Sequence, residues 1–219
     1  MLKWLIKNIL VREKSKFVEM FGTSYTNPYS FPQVELGKCC IINPEKRNDI
    51  ASDNLVSFVQ MPSVSEDGIV DTSITRSFSE VKVGYTFFEE NDVIFAKITP
   101  CMENGKGGIA TGLMNRVGFG STEFHVLRPI NEKSNSYWLY YLTMLPEFRK
   151  EAADNMTGAS GHRRVPEKFM KNYKVFLPPI ECQNEFADYV KSIDKLKFIS
   201  IYLDIEVSEE NNGLYYREE

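Results

Sequence analysis

The chain has 219 residues, 42% hydrophobic and 13% aromatic, and a formal net charge of −4. That length fits one domain with appendages or two small ones, and the apolar content excludes a disordered chain. No apolar run approaches the ~18 residues needed to span a membrane. MLKWLIKNILVREK is interrupted by lysines and lacks a small-residue cleavage site, so a cytoplasmic protein is expected.

Residues 2–21 read as a helix. Leu2, Leu5, Ile6, Ile9 and Leu10 share one face, and Phe17, Val18, Met20 and Phe21 resume it. Gly22 is placed to cap it, and NPYSFP breaks the chain. Residues 33–130 are β-rich. QVELGKCCII, NLVSFVQM, VGYTFF, DVIFAKI, GIATGLM and VGFGSTEFHVLRP are short runs parted by Gly, Pro, Asn and Asp. Several are apolar at consecutive positions, as in strands covered on both faces. Residues 135–154 predict a helical region broken near Pro146. MTGASGHRRVPEKFMKN reads as a small-residue and then basic loop, and YKVFLPP as a last strand. Residues 181–203 predict a second amphipathic helix, with Phe186, Tyr189, Ile193, Leu196 and Leu203 on its apolar seam and Ser200 interrupting it.

The expected fold is α+β. An N-terminal helix spans 1–22, a β-rich domain 23–179, and a C-terminal helix with an acidic tail 180–219. The tail, 204–219, holds six acids and one base, so it carries −5 and leaves +1 for the rest of the chain. Residues 162–174 hold five bases and one acid, a local +4. A basic patch on a nearly neutral body is compatible with nucleic-acid binding, because local charge governs phosphate contacts.

The chain carries few signs of catalysis. ENGKGG lacks the spacing and the Ser/Thr of a phosphate-binding P-loop. The two histidines, His125 and His162, have no metal-ligand spacing, and the four cysteines fit neither a zinc ribbon nor a CxxC pair. Neither metal nor cofactor is expected. Cys39 and Cys40 would point apart if both lay in a strand. His125 alternates with apolar neighbours as a structural histidine does. No GxSxG elbow is present, so a hydrolase using Cys101 or His125 is a weak reading.

Loops that read DNA need Lys and Arg for phosphates and Asn, Ser, Thr or His for base edges. AKITPCMENGKG offers Lys97, Thr99, Asn104 and Lys106. FGSTEFH offers Ser121 and Thr122. TGASGHRR offers Thr157, Ser160, His162, Arg163 and Arg164, and Lys168 follows. Lys97, Lys106, Arg163, Arg164 and Lys168 are the phosphate or guanine candidates, Thr99, Asn104, Ser121, Thr122 and His162 are the candidate base readers, and Thr157 and Ser160 are further DNA-binding candidates. Ordinary solvated turns have the same composition.

Four stretches in series carry a resemblance: VSFVQMPSVSEDGIV, GYTFFEENDVIFAKITPCMENGKGGIA, VGFGSTEFHVLRP and MTGASGHRRVPEKFMKNYKVFLPPIECQNEFADYV. Together they resemble the target-recognition domain of type I restriction-modification specificity (S) subunits. EKSKFVEMFGTSYTNP resembles the family's lead-in from its central helix. The resemblance implies a non-catalytic subunit with spacer helices of coiled-coil type. It implies double-stranded DNA as ligand, and modification (methyltransferase) subunits, and through them restriction subunits, as partners. A complete S subunit has two such domains, each reading half of a bipartite site, whereas this chain carries one. It therefore resembles a half-subunit that pairs with a second copy or another S half, a truncated form, or a recombination cassette. The alternative function is a subunit-docking or cassette fragment with little DNA affinity of its own.

Overall fold

The computed structural model describes residues 2–47 and 49–195, with side chains from residue 9 onward. The predicted helix is α1, Leu2–Phe21. Gly22 ends it with φ 77°, and its N–H reaches the Val18 carbonyl at 2.8 Å. A Cβ there would stand 2.2 Å from the Thr26 carbonyl oxygen, so the chain turns out of the helix on a glycine. The β-region then runs as β1 (Gln33–Glu35), β2 (Cys40–Ile42), β3 (Leu55–Val59), β4 (Thr75–Ser77), a short α2 (Phe78–Val81), β5 (Thr86–Glu89), β6 (Val93–Ala96), β7 (Gly107–Ile109), β8 (Val117–Gly120) and β9 (Phe124–Pro129). Next come α3 (Ser136–Met144), α4 (Pro146–Asp154), α5 (Glu167–Asn172) and β10 (Lys174–Phe176), followed by a helix over 180–195, here α6. The seam positions Leu196, Ser200 and Leu203 and the acidic tail lie outside the described residues.

Two four-stranded sheets stack face to face. One has the order β2-β9-β6-β7 and is antiparallel; the other, β4-β3-β8-β5, pairs β3 with β8 in parallel. Alternation along the strands sorts the core into layers. Ile94, Ala96, Phe124 and Val126 face Val59 and Phe88 between the sheets. Val93, Phe95 and Leu127 face the helices, whose layer includes Trp138, Leu139 and Phe148. The outer face of the second sheet buries Val56, Phe87, Val117 and Phe119 beneath Phe78 and Val81 of α2. The consecutive apolar residues of β6 are thus all buried because both of its faces are covered. Gly118 is small for a packing reason: a Cβ there would sit 2.1 Å from the Phe88 ring.

The terminal helices are part of the same core. Phe186 of α6 meets Phe17 and Phe21 of α1 edge-to-face at centroid distances of 5.4 and 5.6 Å, and Tyr141 of α3 at 5.0 Å. The Tyr141 hydroxyl donates to Glu13 Oε2 at 2.6 Å beneath this cluster. β1 pairs with β10, so the segments that enter and leave the β-region lie side by side.

Two expectations change. The basic loop after residue 156 becomes helical at α5. Pro166 precedes the first turn, Glu167 lies in that turn, Lys171 in the last, and Met170 is buried, so dipole and packing both favour a helix. Cys39 and Cys40 do not point apart: their thiols converge on the Leu36 carbonyl at 3.2 and 3.4 Å. The reason is that β2 begins at Cys40, while Cys39 has helical dihedrals (φ −112°, ψ −10°), so strand alternation does not apply to the pair.

Candidate nucleic-acid interface

The three polar loops meet at the end of β6. The chain leaves Ala96 still extended, and Ile98 bridges to Arg164, which bridges on its other side to Thr157. Lys97 N–H donates to the Glu123 carbonyl and Val165 N–H to the Lys97 carbonyl, both at 2.9 Å; Thr99 N–H donates to the Arg163 carbonyl at 3.0 Å. Thr157 and Arg164 exchange backbone bonds of 3.0 and 2.8 Å. Segments 97–99, 121–123 and 157–165, remote in sequence, are therefore sewn into one surface. Gly158, at φ 119°, turns the 157–164 hairpin; a Cβ there would stand 2.9 Å from the His162 carbonyl oxygen.

The predicted side chains fall into three settings. Asn104, Thr122, Thr157, Ser160, His162 and Arg163 are exposed. Among the described residues the Arg163 side chain has no hydrogen bond or ion pair, which leaves its guanidinium open to a ligand. A second group is engaged. The Thr99 hydroxyl donates to Glu103 Oε1 at 3.0 Å, Lys106 Nζ reaches the Met61 carbonyl at 3.3 Å, and Ser121 Oγ accepts from Glu123 N–H at 3.2 Å. Arg164 forks onto Glu123, Nε to Oε2 at 2.9 Å and Nη2 to Oε1 at 2.7 Å, and its Nη1 donates to the His162 carbonyl at 2.7 Å. Lys97 is half-buried. Burial pushes its ammonium below the ordinary value, and nearby Arg164 adds to that effect while Glu123 opposes it. Lys168 stands apart on α5, where it lines a groove with Tyr25, Gln33 and Glu151; none of the other predicted residues lines that groove.

Three supporting residues were not among the sequence candidates. Glu123 is the first, and its carboxyl is held below the usual range chiefly by the Arg164 hydrogen bonds. Arg149 is the second. It is partly buried with its guanidinium over the Phe95 ring at 4.9 Å, and it donates to the carbonyls of Thr143, Met102 and Gly105. Burial brings its pKa down to about 10. It therefore braces the 99–106 loop from within, using three carbonyls in place of a carboxylate. The third is Asn43. Its side chain contacts His125 Nδ1 at 3.1 Å and accepts from Val126 N–H at 3.0 Å. His125 Nε2 lies 2.8 Å from the Val165 carbonyl, which assigns the proton to Nε2 and leaves Nδ1 to accept from Asn43. His125 thus anchors the hairpin from below. Cys101 is partly buried against the inter-sheet core. No cluster of His, Cys, Asp and Glu among the described residues is arranged to hold a metal, and no helix among them is long and apolar enough to cross a membrane.

A β-rich domain that gathers loops of this chemistry onto one surface has the form of a nucleic-acid reader. Residues 34–203 match the family model described as "Type I restriction modification DNA specificity domain". The chain belongs to that family, whose members are non-catalytic specificity components, enzymatic activity residing in other subunits. It is 37% identical over 184 residues to the type I restriction enzyme EcoEI specificity subunit of Escherichia coli, covering 81% of this chain and 30% of that one. It is 34% identical over 204 residues to the EcoAI specificity subunit of the same organism, covering 88% and 34%. The chain therefore spans about a third of the length of these relatives. Its fold resembles the HsdS subunit from Thermoanaerobacter tengcongensis, with a TM-score of 0.56, 18% identity, and coverage of 90% of this chain and 46% of that one. It also resembles a type I restriction-modification S subunit from M. genitalium, with a TM-score of 0.53, 12% identity, and coverage of 97% and 54%.

Proposed function

We propose that this chain reads one half of a bipartite duplex-DNA site through the surface built from 97–106, 121–123 and 157–164. It directs modification subunits, and through them restriction subunits, to that site. The observation that carries the reading is the stitching of three polar loops around Arg164 in a chain of the DNA-specificity family. Arg163 and Lys97 supply phosphate contacts, and Asn104, Thr122, Thr157, Ser160 and His162 face base edges. Residues 1–22 and 180–219 serve as the flanking spacer elements of a domain spanning 23–179, in the cytoplasm. A duplex pool of random sequence, tested by anisotropy with the chain alone and with its modification subunit, should bind with affinity that falls steeply as salt rises. Undetectable binding in both states overturns the proposal.

A second reading has its own observation. Val11, Phe17 and Val18 of α1 line an apolar groove with Tyr141, Met144, Leu145 and Pro146, and Val11 and Val18 are exposed. A docking fragment with little DNA affinity would use such a groove. Co-purification with a modification subunit, without DNA retention by the complex, would establish that reading instead.

A further inference from the structure

We infer that Arg164 is a positioning residue: paired with Glu123, it latches the three loops into one recognition surface and makes no phosphate contact of its own. The inference rests on the DNA-reading function proposed above. Arg164 is the middle member of the stitched segments, with backbone partners on both sides at Ile98 and Thr157. Its side chain spends three of five N–H groups, two on Glu123 and one on the His162 carbonyl. Glu123 is tied at both ends: its carbonyl accepts from Lys97 N–H while its carboxylate takes the guanidinium fork. One ion pair thus joins the turn after β8, the exit from β6 and the 157–164 hairpin. A phosphate approaching Arg164 would come up beside the Glu123 carboxylate and would have to displace a bidentate pair. Arg163, the residue before it, is exposed and has no such neighbour among the described residues.

The two roles predict opposite signs for one substitution. If Arg164 binds phosphate, Glu123→Gln removes a negative charge from the DNA-facing surface and binding tightens. If the pair is a latch, Glu123→Gln loosens the loops and binding weakens. Sequence-specific contacts suffer most, because they depend on loop register, whereas losing a phosphate contact weakens all sequences alike. The pair is partly exposed, at 43% and 23% for the two side chains, and such pairs add little to folding, so the variants remain folded.

The test enriches a preferred duplex from the random pool with the full chain, then measures affinity for that duplex and for the pool across a salt series. Thermal unfolding of every variant runs alongside. Glu123→Gln and Arg164→Gln should each lower the ratio of the two affinities by about tenfold, leave the salt slope unchanged, and together cost no more than either alone. The charge swap Glu123→Arg with Arg164→Glu should recover most of the ratio. Arg163→Ala should instead weaken both affinities equally and reduce the slope by about 0.9. The latch is overturned if Glu123→Gln tightens or leaves binding unaltered, if Arg164→Gln reduces the slope as Arg163→Ala does, or if the swap recovers nothing. Wild-type chain that enriches no sequence overturns the functional reading and the latch together. A wild type that does enrich one, with tightening by Glu123→Gln, overturns the latch alone.

Discussion

Arg163 and Arg164 are adjacent and chemically identical, yet one is open to solvent and the other is committed to Glu123. Residue type alone predicted a basic loop with a DNA-binding composition, and it could not divide the two arginines. The divider is an ion pair across 41 positions of sequence, and nothing local signals it. Arg149 was invisible for a related reason. A partly buried arginine with carbonyl partners leaves no charge pattern to read, because its ligands are backbone atoms. His125 was legible as a structural histidine from its apolar neighbours, and its burial has a measurable consequence. Desolvation pushes its imidazole below the ordinary value of 6.5, so the folded chain holds it neutral. The unfolded chain takes up a proton as pH falls through about 6.5 and so binds more protons than the folded chain below that value. Folding stability should fall as pH drops from about 7 to about 5. Urea unfolding of His125→Gln should show a shallower slope over that interval, and an unchanged slope would remove His125 as the cause.

The elements carried more of their own evidence. Short runs between Gly, Pro, Asn and Asp marked β3, β5, β6 and β10, a single run marked β8 and β9 together, and Leu145–Pro146 marked the break between α3 and α4. β4 and α2 left no apolar run: Thr75, Arg76 and Ser77 are polar, and the four-residue helix depends on a Ser77–Glu80 capping box. α5 was hidden because its lysines, read as a loop's basic character, lie on one side of a helix whose other side buries Met170. The pairing of α1 with α6 could not be read at all from helical periodicity, which fixes a face and not its partner. In the structure that partner is an aromatic cluster within one chain. Phe186→Ala should therefore cost about 3–5 kcal/mol, as for a buried Phe, and lower the denaturation midpoint of the whole chain in one transition. Separate unfolding of a terminal helix, with the β-region intact, would contradict a shared core.

At the scale of the molecule, one recognition domain stands where the relatives have about three times the length. The half-site reading proposed above has a specific consequence in cells. Methylated sites mapped in cells carrying this chain with its modification subunit should share a motif, and Arg163→Ala should reduce methylation without changing that motif. A motif altered by Arg163→Ala would instead make that residue a base reader. The β1–β10 ladder and the Phe17–Phe186 contact close the domain at its base, so the chain goes in and comes out through the same doorway. Rebuilding the loops proposed to read DNA should therefore leave the separation of the two flanking helices untouched. On the proposed function, what is read and how far apart the readings are made become independent variables, and either can be exchanged without retuning the other.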